Sequence, residues 1–215
     1  MAKCPGGDGG DRYLRRQCYG NCHQISTFKV NAKLVYTLLG DGSLKVECGI
    51  DIDEDMPEPL RIGMQCRMSG DIGNVTWFGR GPVENYSDRK EGLMLGTYSS
   101  DVKGMMVDYV VPQENGNRCD VGWFTLLDAN GRGLKVSALG TPLNFSVWNT
   151  TQDELEKARH IGEPAVLADS FTLNIDHVQT GVGGTNTWSS KAIASKQYRL
   201  QNKHYEYGFV ITAIK

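Results

Sequence analysis

Strict two-residue alternation of apolar and polar side chains is the feature that most constrains this fold. The stretch LKVECGIDID, residues 44–53, places Leu, Val, Cys and two Ile on one face and Lys, Glu, Gly and two Asp on the other. The stretch LRIGMQCRM, residues 60–68, repeats the pattern. Successive side chains of a β-strand point to opposite faces, so each stretch indicates a strand with one buried face. Cys48 and Cys66 take inward positions and are predicted to be small core residues.

Further stretches of the same kind predict an all-β protein. Predicted strands are GMMVDYVV, GWFTLLD, LKVSAL, LNFSVWN, FTLNIDHV and YEYGFVITAI, with turn sequences such as GDGS and ANGRG between strands. One short helix is predicted in TQDELEKARH, because Thr151 and Glu154 form a capping box. Many strands with one short helix predict a large antiparallel two-sheet β-sandwich.

Charge and hydropathy exclude several classes of function. The net charge of −2 provides no basic surface for a nucleic acid. No apolar run has the length needed to span a bilayer, and the first thirty residues contain no apolar signal-peptide core. The expected location is therefore the cytoplasm or the periplasm, without membrane association.

The first 25 residues differ from the rest of the chain. They are rich in Gly, Arg and Cys without a clear period, which predicts a linker or irregular head before a domain at residues 26–215. Cys18, Cys22 and His23 lie close together, but a metal site needs further ligands at a matching spacing. None is obvious, and we predict no metal site in this chain.

Catalytic groups are hard to assemble from this sequence. The acidic stretch IDIDEDMPEP fits the solvated end of a strand, and no nucleophile-elbow sequence accompanies the four histidines. The glycines of GVGG lack the Lys-Ser/Thr of a phosphate loop. His177 ends the apolar face of FTLNIDHV, where a core or rim position and a catalytic one are both open.

Three loop stretches contain more aromatic and polar residues than turns require. They are WFGRGPVENYSDRK at 77–90, VVPQENGNRCD at 110–120 and GVGGTNTW at 181–188. The third places Trp188 among Gly, Thr, Asn and Ser, without the apolar neighbours of a core tryptophan. A packed position under the loop and a functional position at the surface are the two alternatives.

These stretches, with the terminal YEYGFVI, resemble in the same order the C-terminal small-chain domain of the large β-galactosidases of glycoside hydrolase family 2. The most specific motif is G-x-G-P-x-E-N-Y-x-D-R, which residues 79–89 match. The resemblance covers roughly residues 26–215 and implies the two-sheet sandwich shared with galactose mutarotases. The head departs from it, and so does the Ser-Ser that follows Trp188 in place of a proline-containing continuation.

The resemblance also implies a role without catalysis in this chain. In those enzymes the two catalytic glutamates lie in a separate barrel domain, so this chain should lack the carboxylate pair of a retaining glycosidase and be inactive alone. The domain would close one side of the sugar pocket. Its implied partners are the β-galactoside substrate and the barrel domain, in a homo-oligomeric full enzyme that holds Mg²⁺ and Na⁺ in other domains.

The same resemblance assigns roles to individual residues. Trp188 matches the family's sugar platform, and an indole face offers flat apolar area to the C–H face of a pyranose. Asn186 and His177 are the other substrate-binding candidates. The pocket loop is assigned Glu114, Asn115 and Arg118, which would orient the loop, fix a neighbouring domain or only support the fold. For Asn85 and Asp88 we predict bonds to the backbone within the turn, and for Arg89 a pair with an acid.

Two other classes of protein remain open from the sequence. A free-standing aldose 1-epimerase on a related sandwich would need a carboxylate base and a histidine acid at one sugar oxygen. His177 and a nearby Glu or Asp are the candidates for these roles. The other class is a non-catalytic carbohydrate-binding module.

Overall fold

The computed structural model describes residues 14–21, 29–186 and 188–215, with side chains from residue 29 onward except that of Ser190. The strands in this part of the chain are β1 (Leu14–Asn21), β2 (Val30–Leu38), β3 (Leu44–Ile52), β4 (Arg61–Ser69), β5 (Asn74–Gly81), β6 (Met94–Asp101), β7 (Arg118–Val121), β8 (Trp123–Leu127), β9 (Gly133–Ala138), β10 (Leu143–Trp148), β11 (Ser170–Gln179) and β12 (His204–Ile214). The helices are α1 (Val102–Met105) and α2 (Gln152–Lys157), and short 3₁₀ turns lie at Ser190–Ala192 and Lys196–Tyr198.

The described strands form two antiparallel sheets. The larger has eight strands in the order β1-β2-β3-β12-β9-β8-β5-β6, and the smaller has four in the order β4-β11-β10-β7. In the larger sheet β12 lies between β3 and β9, so the end of the chain joins its two halves. The predicted all-β, antiparallel two-sheet sandwich is confirmed.

The core lies between the two sheets and is built on aromatic side chains. Phe124 of the larger sheet stacks on Phe145 of the smaller, with ring centroids 4.3 Å apart. Trp77 meets Phe145 edge-on at 6.2 Å, and all three rings are buried. Burying one such side chain contributes about 1.5–3 kcal/mol, so these contacts are a main source of adhesion between the sheets.

The alternating pattern predicts the buried residues of β3 correctly and those of β4 only in part. Val46, Cys48 and Ile52 of β3 are buried, as predicted. In β4 the prediction is wrong at Cys66, which is exposed. The reason is that β4 is an edge strand of the smaller sheet and pairs only with β11, so much of its length lacks cover. Leu60, just before this strand, is 74% exposed.

The strand predicted for GMMVDYVV is also wrong. Asp101 caps α1 by accepting a hydrogen bond from the backbone N–H of Gly104 at 2.5 Å, and the chain then continues without regular structure to β7. Met105 at the end of α1 is fully buried, which fixes the turn against the core. The predicted helix is confirmed as α2, with the Thr151 hydroxyl accepting from the Glu154 N–H at 3.2 Å.

Part of the predicted head belongs to the larger sheet. Residues 14–21 form β1 and pair antiparallel with β2, so the prediction of an irregular head fails there. Cys22 and His23 lie outside the described residues. Among the described residues, no group of three or more His, Cys, Asp or Glu side chains is placed to hold a metal ion. Neither helix in this part of the chain has the length and apolar character that crossing a membrane requires.

Candidate functional site

The loop at residues 82–90 joins the other two loops of the candidate site. Its Glu84 is nearly buried and accepts hydrogen bonds from the Arg89 guanidinium and the Tyr109 hydroxyl. Glu84 also accepts from the backbone N–H of Gly116 at 2.6 Å. The predicted pairing of Arg89 with an acid is confirmed. One carboxylate thereby fixes the 110–120 loop against the 82–90 loop.

Asn85 strengthens the same junction from a fully buried position. Its side-chain amide donates to the carbonyl of Val83 at 3.0 Å, and its side-chain oxygen accepts from the Cys119 N–H at 2.7 Å. The Asn117 side chain donates to the Asn85 carbonyl at 2.8 Å. The prediction that Asn85 bonds to backbone groups is confirmed. These contacts make the asparagine a structural centre of the junction.

Asp88 connects the 82–90 loop to the tryptophan loop. Its carboxylate accepts from the backbone N–H of Gly183 at 2.6 Å, so its backbone partner lies in another loop and not, as predicted, in the same turn. A Cβ at Gly181 would lie 2.7 Å from the Asp88 carboxyl carbon, so only glycine allows this close approach. The start of the tryptophan loop is therefore held by a charge-assisted hydrogen bond.

Trp188 is presented to solvent rather than packed beneath its loop. Its side chain is 84% exposed. The Asn186 side-chain oxygen accepts from the N–H groups of Trp188, at 3.2 Å, and Ser189, at 3.0 Å, forming a local turn. Thr185 donates its N–H to the Lys191 carbonyl at 2.7 Å, which closes the loop. The structure thus assigns Asn186 a contact that shapes the loop around Trp188.

Removing the Asp88 carboxylate should loosen the tryptophan loop without unfolding the domain. In Asp88→Ala the Gly183 N–H loses its partner, and we expect proteolytic cleavage within residues 181–189 to become at least about fivefold faster, the effect of losing roughly 1 kcal/mol of local stability. The measurement is limited proteolysis with mass spectrometry. Asp55→Ala, at an exposed turn, is the control, and equal cleavage rates in the two variants would contradict the assignment.

Behind these loops a group of charges, in which Asp176 is buried and Arg61 and Glu114 are partly buried, links both sheet and loop residues. Arg61 on β4 donates to the Glu114 carboxylate at 2.6 Å and lies 3.3 Å from the Asp176 carboxylate on β11. Tyr86 donates its hydroxyl to Glu114 at 3.3 Å. The Arg61 guanidinium also lies over the Trp148 ring, 5.5 Å from its centroid. We call Arg61, Glu114 and Asp176 the buried charge cluster.

Two carboxylates share one guanidinium in this cluster, and burial raises the pKa of both carboxylates. Burial raises the pKa of Asp176 to about 7, Arg61 partly opposes this, and the nearby Glu114 adds to it. Burial likewise raises the pKa of Glu114. Gly63 faces Asp176 across the β4–β11 ladder, and a Cβ there would lie 1.8 Å from the Asp176 carboxylate oxygen. The missing side chain at Gly63 therefore provides the space for the acid.

The other two residues of the predicted pocket loop face the protein interior. Arg118 is buried, donates to the Gly116 carbonyl at 3.0 Å and lies 5.0 Å from the Trp77 ring centroid. Burial lowers the pKa of Arg118 to about 10. Asn115 accepts from the Val107 N–H at 3.1 Å and is itself buried. These contacts shape the loop and favour the supporting role among the predicted alternatives.

His177 is half-buried and lies on a different wall from Trp188. Its ring stacks on Tyr207, with centroids 5.5 Å apart, and burial lowers its pKa, which favours the neutral imidazole. It lines a cavity with residues 197–200 whose lining includes neither Trp188 nor Asn186. A direct role for His177 beside Trp188 remains a prediction.

Several residues that build this region escaped the sequence analysis. Arg61 and Asp176 were assigned to alternating strand patterns, and Tyr86 and Glu84 to a motif without individual roles. The alternating pattern of β11 gives no signal for Asp176, because only the structure shows that residues 171–176 are buried on both faces, where a charge requires a partner. The identity of that partner depends on the pairing of β11 with β4, which the sequence does not state.

Comparison with known proteins decides the family. The family model of the beta-galactosidase small chain matches residues 14–211. The chain belongs to the beta-galactosidase small-chain family. Its first matched residue is the first residue of β1, so the matched region includes residues from every strand of both described sheets.

Individual relatives agree with this family. The chain is 39% identical over 159 residues to a beta-galactosidase of Priestia megaterium, a match that covers 74% of this chain and 15% of the relative. It is 33% identical over 174 residues to one of Vibrio cholerae, covering 80% and 16%. With a beta-galactosidase of Pseudoalteromonas haloplanktis it shares 29% identity over 200 residues, covering 93% and 18%. The small-chain domain thus spans less than a fifth of these relatives.

Proposed function

We propose that this chain is the C-terminal domain of a glycoside hydrolase family 2 β-galactosidase and completes one side of its sugar pocket. The single observation that carries the proposal is Trp188, 84% exposed on a loop that Asp88 and Asn186 hold in place. An exposed indole on a fixed loop suits the C–H face of a galactose ring. Hydrolysis of the terminal β-D-galactoside would be carried out by two glutamates in another domain.

A neighbouring domain would cover apolar surface that this chain leaves open. Leu60 and Val182 are exposed side chains that line one groove, together with Pro112 and α2 residues. Val166 and Ile161 are exposed beside a second groove next to α1. Apolar grooves of this kind are typical of contacts between domains. We assign these grooves to the barrel domain of the same enzyme or to another subunit of a homo-oligomer.

The Mg²⁺ and Na⁺ implied by the family are assigned to other domains of the full enzyme. Among the residues that the structure describes, no group of three or more His, Cys, Asp or Glu side chains is placed to hold a metal ion. The proposed contribution is binding, through Trp188 and Asn186, and exclusion of water from one side of the sugar. The catalytic acid/base and nucleophile belong to the other domains.

Reconstitution tests this function directly. The Priestia megaterium relative would be prepared without the region that matches this chain and mixed with the 215-residue chain. We expect neither part alone to hydrolyse a chromogenic β-galactoside and the mixture, or a fusion of the two, to do so. Hydrolysis by the 215-residue chain alone would contradict the proposal, and so would an inactive fusion that is correctly folded.

Trp188 should contribute mainly to substrate binding in that fusion. Trp188→Ala removes the aromatic platform, and we expect KM for the galactoside to rise about five- to thirtyfold, the equivalent of roughly 1–2 kcal/mol. Trp188→Phe keeps an aromatic face and should recover most of the affinity. The measurement is steady-state kinetics on the fusion. An unchanged KM in the alanine variant would remove Trp188 from the sugar pocket.

A further inference from the structure

A groove beside α2 combines exposed aliphatic side chains with charged ones. It has a volume of about 420 Å³ and lies between α2, the 110–120 loop, the start of β4 and the end of β11. Leu60 and Val182 line it and are 74% and 42% exposed. The charged residues on its lining are Arg61, Glu114 and Glu156. We call this space the α2 groove.

The charged side chains of the α2 groove have accessible surface, so an occupant can contact them. The side chains of Arg61 and Glu114 are 19% and 28% exposed. Glu156 is an exposed residue of α2. Gln152 and Glu156 lie four residues apart and therefore on one face of this helix, and both line the groove.

Acids outnumber bases on this lining. The Arg61 guanidinium already lies 2.6 Å from the Glu114 carboxylate and 3.3 Å from that of Asp176. The Glu156 carboxylate accepts a hydrogen bond from the neutral Gln152 side chain at 2.8 Å and forms no ion pair with a described residue. One cation therefore faces two acids on the lining, even before Asp176 behind them is counted. By charge complementarity the groove favours an occupant that brings a positive charge.

The aliphatic side chains of the groove define the rest of the occupant. Leu60, Val182 and Pro112 offer apolar surface that a hydrated inorganic cation would not cover. Lysine and arginine side chains combine an aliphatic stem with a charged head, so they match both parts of the lining. Aliphatic neighbours of such a residue would cover the exposed leucine and valine. The expected occupant is therefore a basic side chain flanked by aliphatic residues.

The position of the groove indicates which protein supplies this segment. Val182 belongs to the tryptophan loop and precedes Gly183, whose N–H Asp88 holds at 2.6 Å. The matches with the Priestia megaterium and Pseudoalteromonas haloplanktis relatives cover 15% and 18% of those enzymes. Most of each relative therefore lies outside the region that matches this chain, and a partner from the same polypeptide is available beside this loop.

We propose that the α2 groove receives a lysine or arginine side chain, flanked by aliphatic residues, from another domain of the same β-galactosidase. The source of the segment rests on the proposed function, whereas the preference for a cationic, apolar segment rests on the lining alone. Because Val182 lines the groove, the docked segment also contacts the tryptophan loop. Docking thereby fixes the loop that carries Trp188 against the neighbouring domain.

The first test titrates the isotope-labelled 215-residue chain with three tripeptides that differ only in their central residue. The probes are acetyl-Val-Arg-Val-amide and its counterparts with Gln and with Glu at the centre. Two-dimensional NMR follows the backbone amide signals of Thr180 and Val182, which line the groove. We expect the Arg peptide to shift these signals saturably and the Gln peptide to bind about two- to fivefold more weakly, the difference typical of a partly exposed ion pair. The Glu peptide should bind most weakly.

Glu156→Gln tests the charge of the groove with little change in shape. The variant keeps a side-chain oxygen that can accept from Gln152. We expect the Kd of the Arg peptide to rise about two- to fivefold and its advantage over the Gln peptide to shrink. Glu54→Gln, at an exposed turn outside the groove, is the matched control and should leave both values unchanged.

Reconstitution tests the source of the segment. The chain is mixed with the Priestia megaterium relative that lacks the matching region, and hydrolysis is followed against the concentration of the chain. Glu156→Lys places a second cation on the lining, so we expect the concentration that restores half of the hydrolysis to rise at least about tenfold, because like charges at an interface repel. Glu54→Lys is the control and should leave this concentration unchanged.

The two tests fail separately. A groove whose signals the Arg peptide does not shift, equal binding of the three peptides, or binding that Glu156→Gln leaves unchanged would overturn the preference for a cation. Selective binding together with a reconstitution that Glu156→Lys leaves unchanged would overturn the assignment to another domain of the enzyme. Selective binding with an inactive, correctly folded fusion would reject the proposed function and leave the preference of the groove in place.

Discussion

Replacing Arg61 by alanine should lower the free energy of unfolding of this domain by about 3–5 kcal/mol above about pH 7, where Asp176 is ionised, the cost of breaking a buried ion pair from one side. Arg61 is the shared partner of Glu114, at 2.6 Å, and Asp176, at 3.3 Å. Without it, two carboxylates face each other around a site where the Asp176 side chain is 1% exposed. The loss of the cation–π contact with Trp148 adds to the effect.

Chemical denaturation of the 215-residue chain, followed by tryptophan fluorescence, measures this effect. The matched control is Arg132→Ala, because Arg132 also pairs with an acid, Asp128, but is 64% exposed. An exposed pair contributes about 0–1 kcal/mol, so the control should change stability little. Equal losses in both variants would show that burial of the charge cluster has no energetic consequence.

The Asp176→Asn variant should become progressively more stable relative to the wild type as the pH rises from about 4 to about 7. The pKa of Asp176 is raised from 3.8 to about 7 in the folded chain, chiefly by burial. Between these values the folded protein keeps a proton that the unfolded chain has lost, so folding takes up a proton. Stability of the wild type therefore falls as the pH rises from about 4 to about 7 and levels off above that range.

The size of this effect follows from the same linkage. One proton taken up on folding changes the free energy of unfolding by up to about 1.4 kcal/mol per pH unit. The asparagine side chain of the variant cannot ionise, so the difference in stability between the variant and the wild type should grow with pH at that rate and then become constant. Arg61 keeps Glu114 as its partner in the variant.

Urea denaturation of both proteins across this pH range measures the difference. Asp55→Asn, a change at an exposed turn outside the cluster, is the control for the loss of one carboxylate. A stability difference that stays constant over the range, or decreases toward neutral pH, would show that Asp176 is ionised in the folded state. The attraction between Arg61 and the Asp176 carboxylate would then outweigh the effect of burial on the pKa of Asp176.

These two results bear on function because the cluster supports the loops of the proposed pocket. Glu114 holds the 110–120 loop and contacts Tyr86 of the 82–90 loop, which in turn carries Asp88 under the tryptophan loop. A change at the cluster is therefore expected to reach the tryptophan loop of the proposed sugar pocket.

The sequence alone determined the fold class and the family. The alternation in LKVECGIDID, the strand stretches and the motif at residues 79–89 were sufficient, because they depend on local periodicity and on residues close in sequence. The capping box of α2 and the bond of Asn85 to the Val83 carbonyl were predictable for the same reason, whereas the partner of Asp88 lies 95 residues away in the tryptophan loop. The strand predicted before Pro112 failed because no partner strand among the described residues lies beside it, which is a tertiary condition.

Only the tertiary structure decided which distant side chains meet. Arg61 and Glu114 are joined by the folding of a loop onto β4, and Arg61 and Asp176 by strand pairing with a register shift after Asp176. Neither event leaves a local pattern, because the contacts span long separations in sequence. Exposure of Cys66 and of Trp188 likewise depends on what covers each surface. The sequence specifies the chemical type of each site residue, but long-range packing decides which residues it contacts.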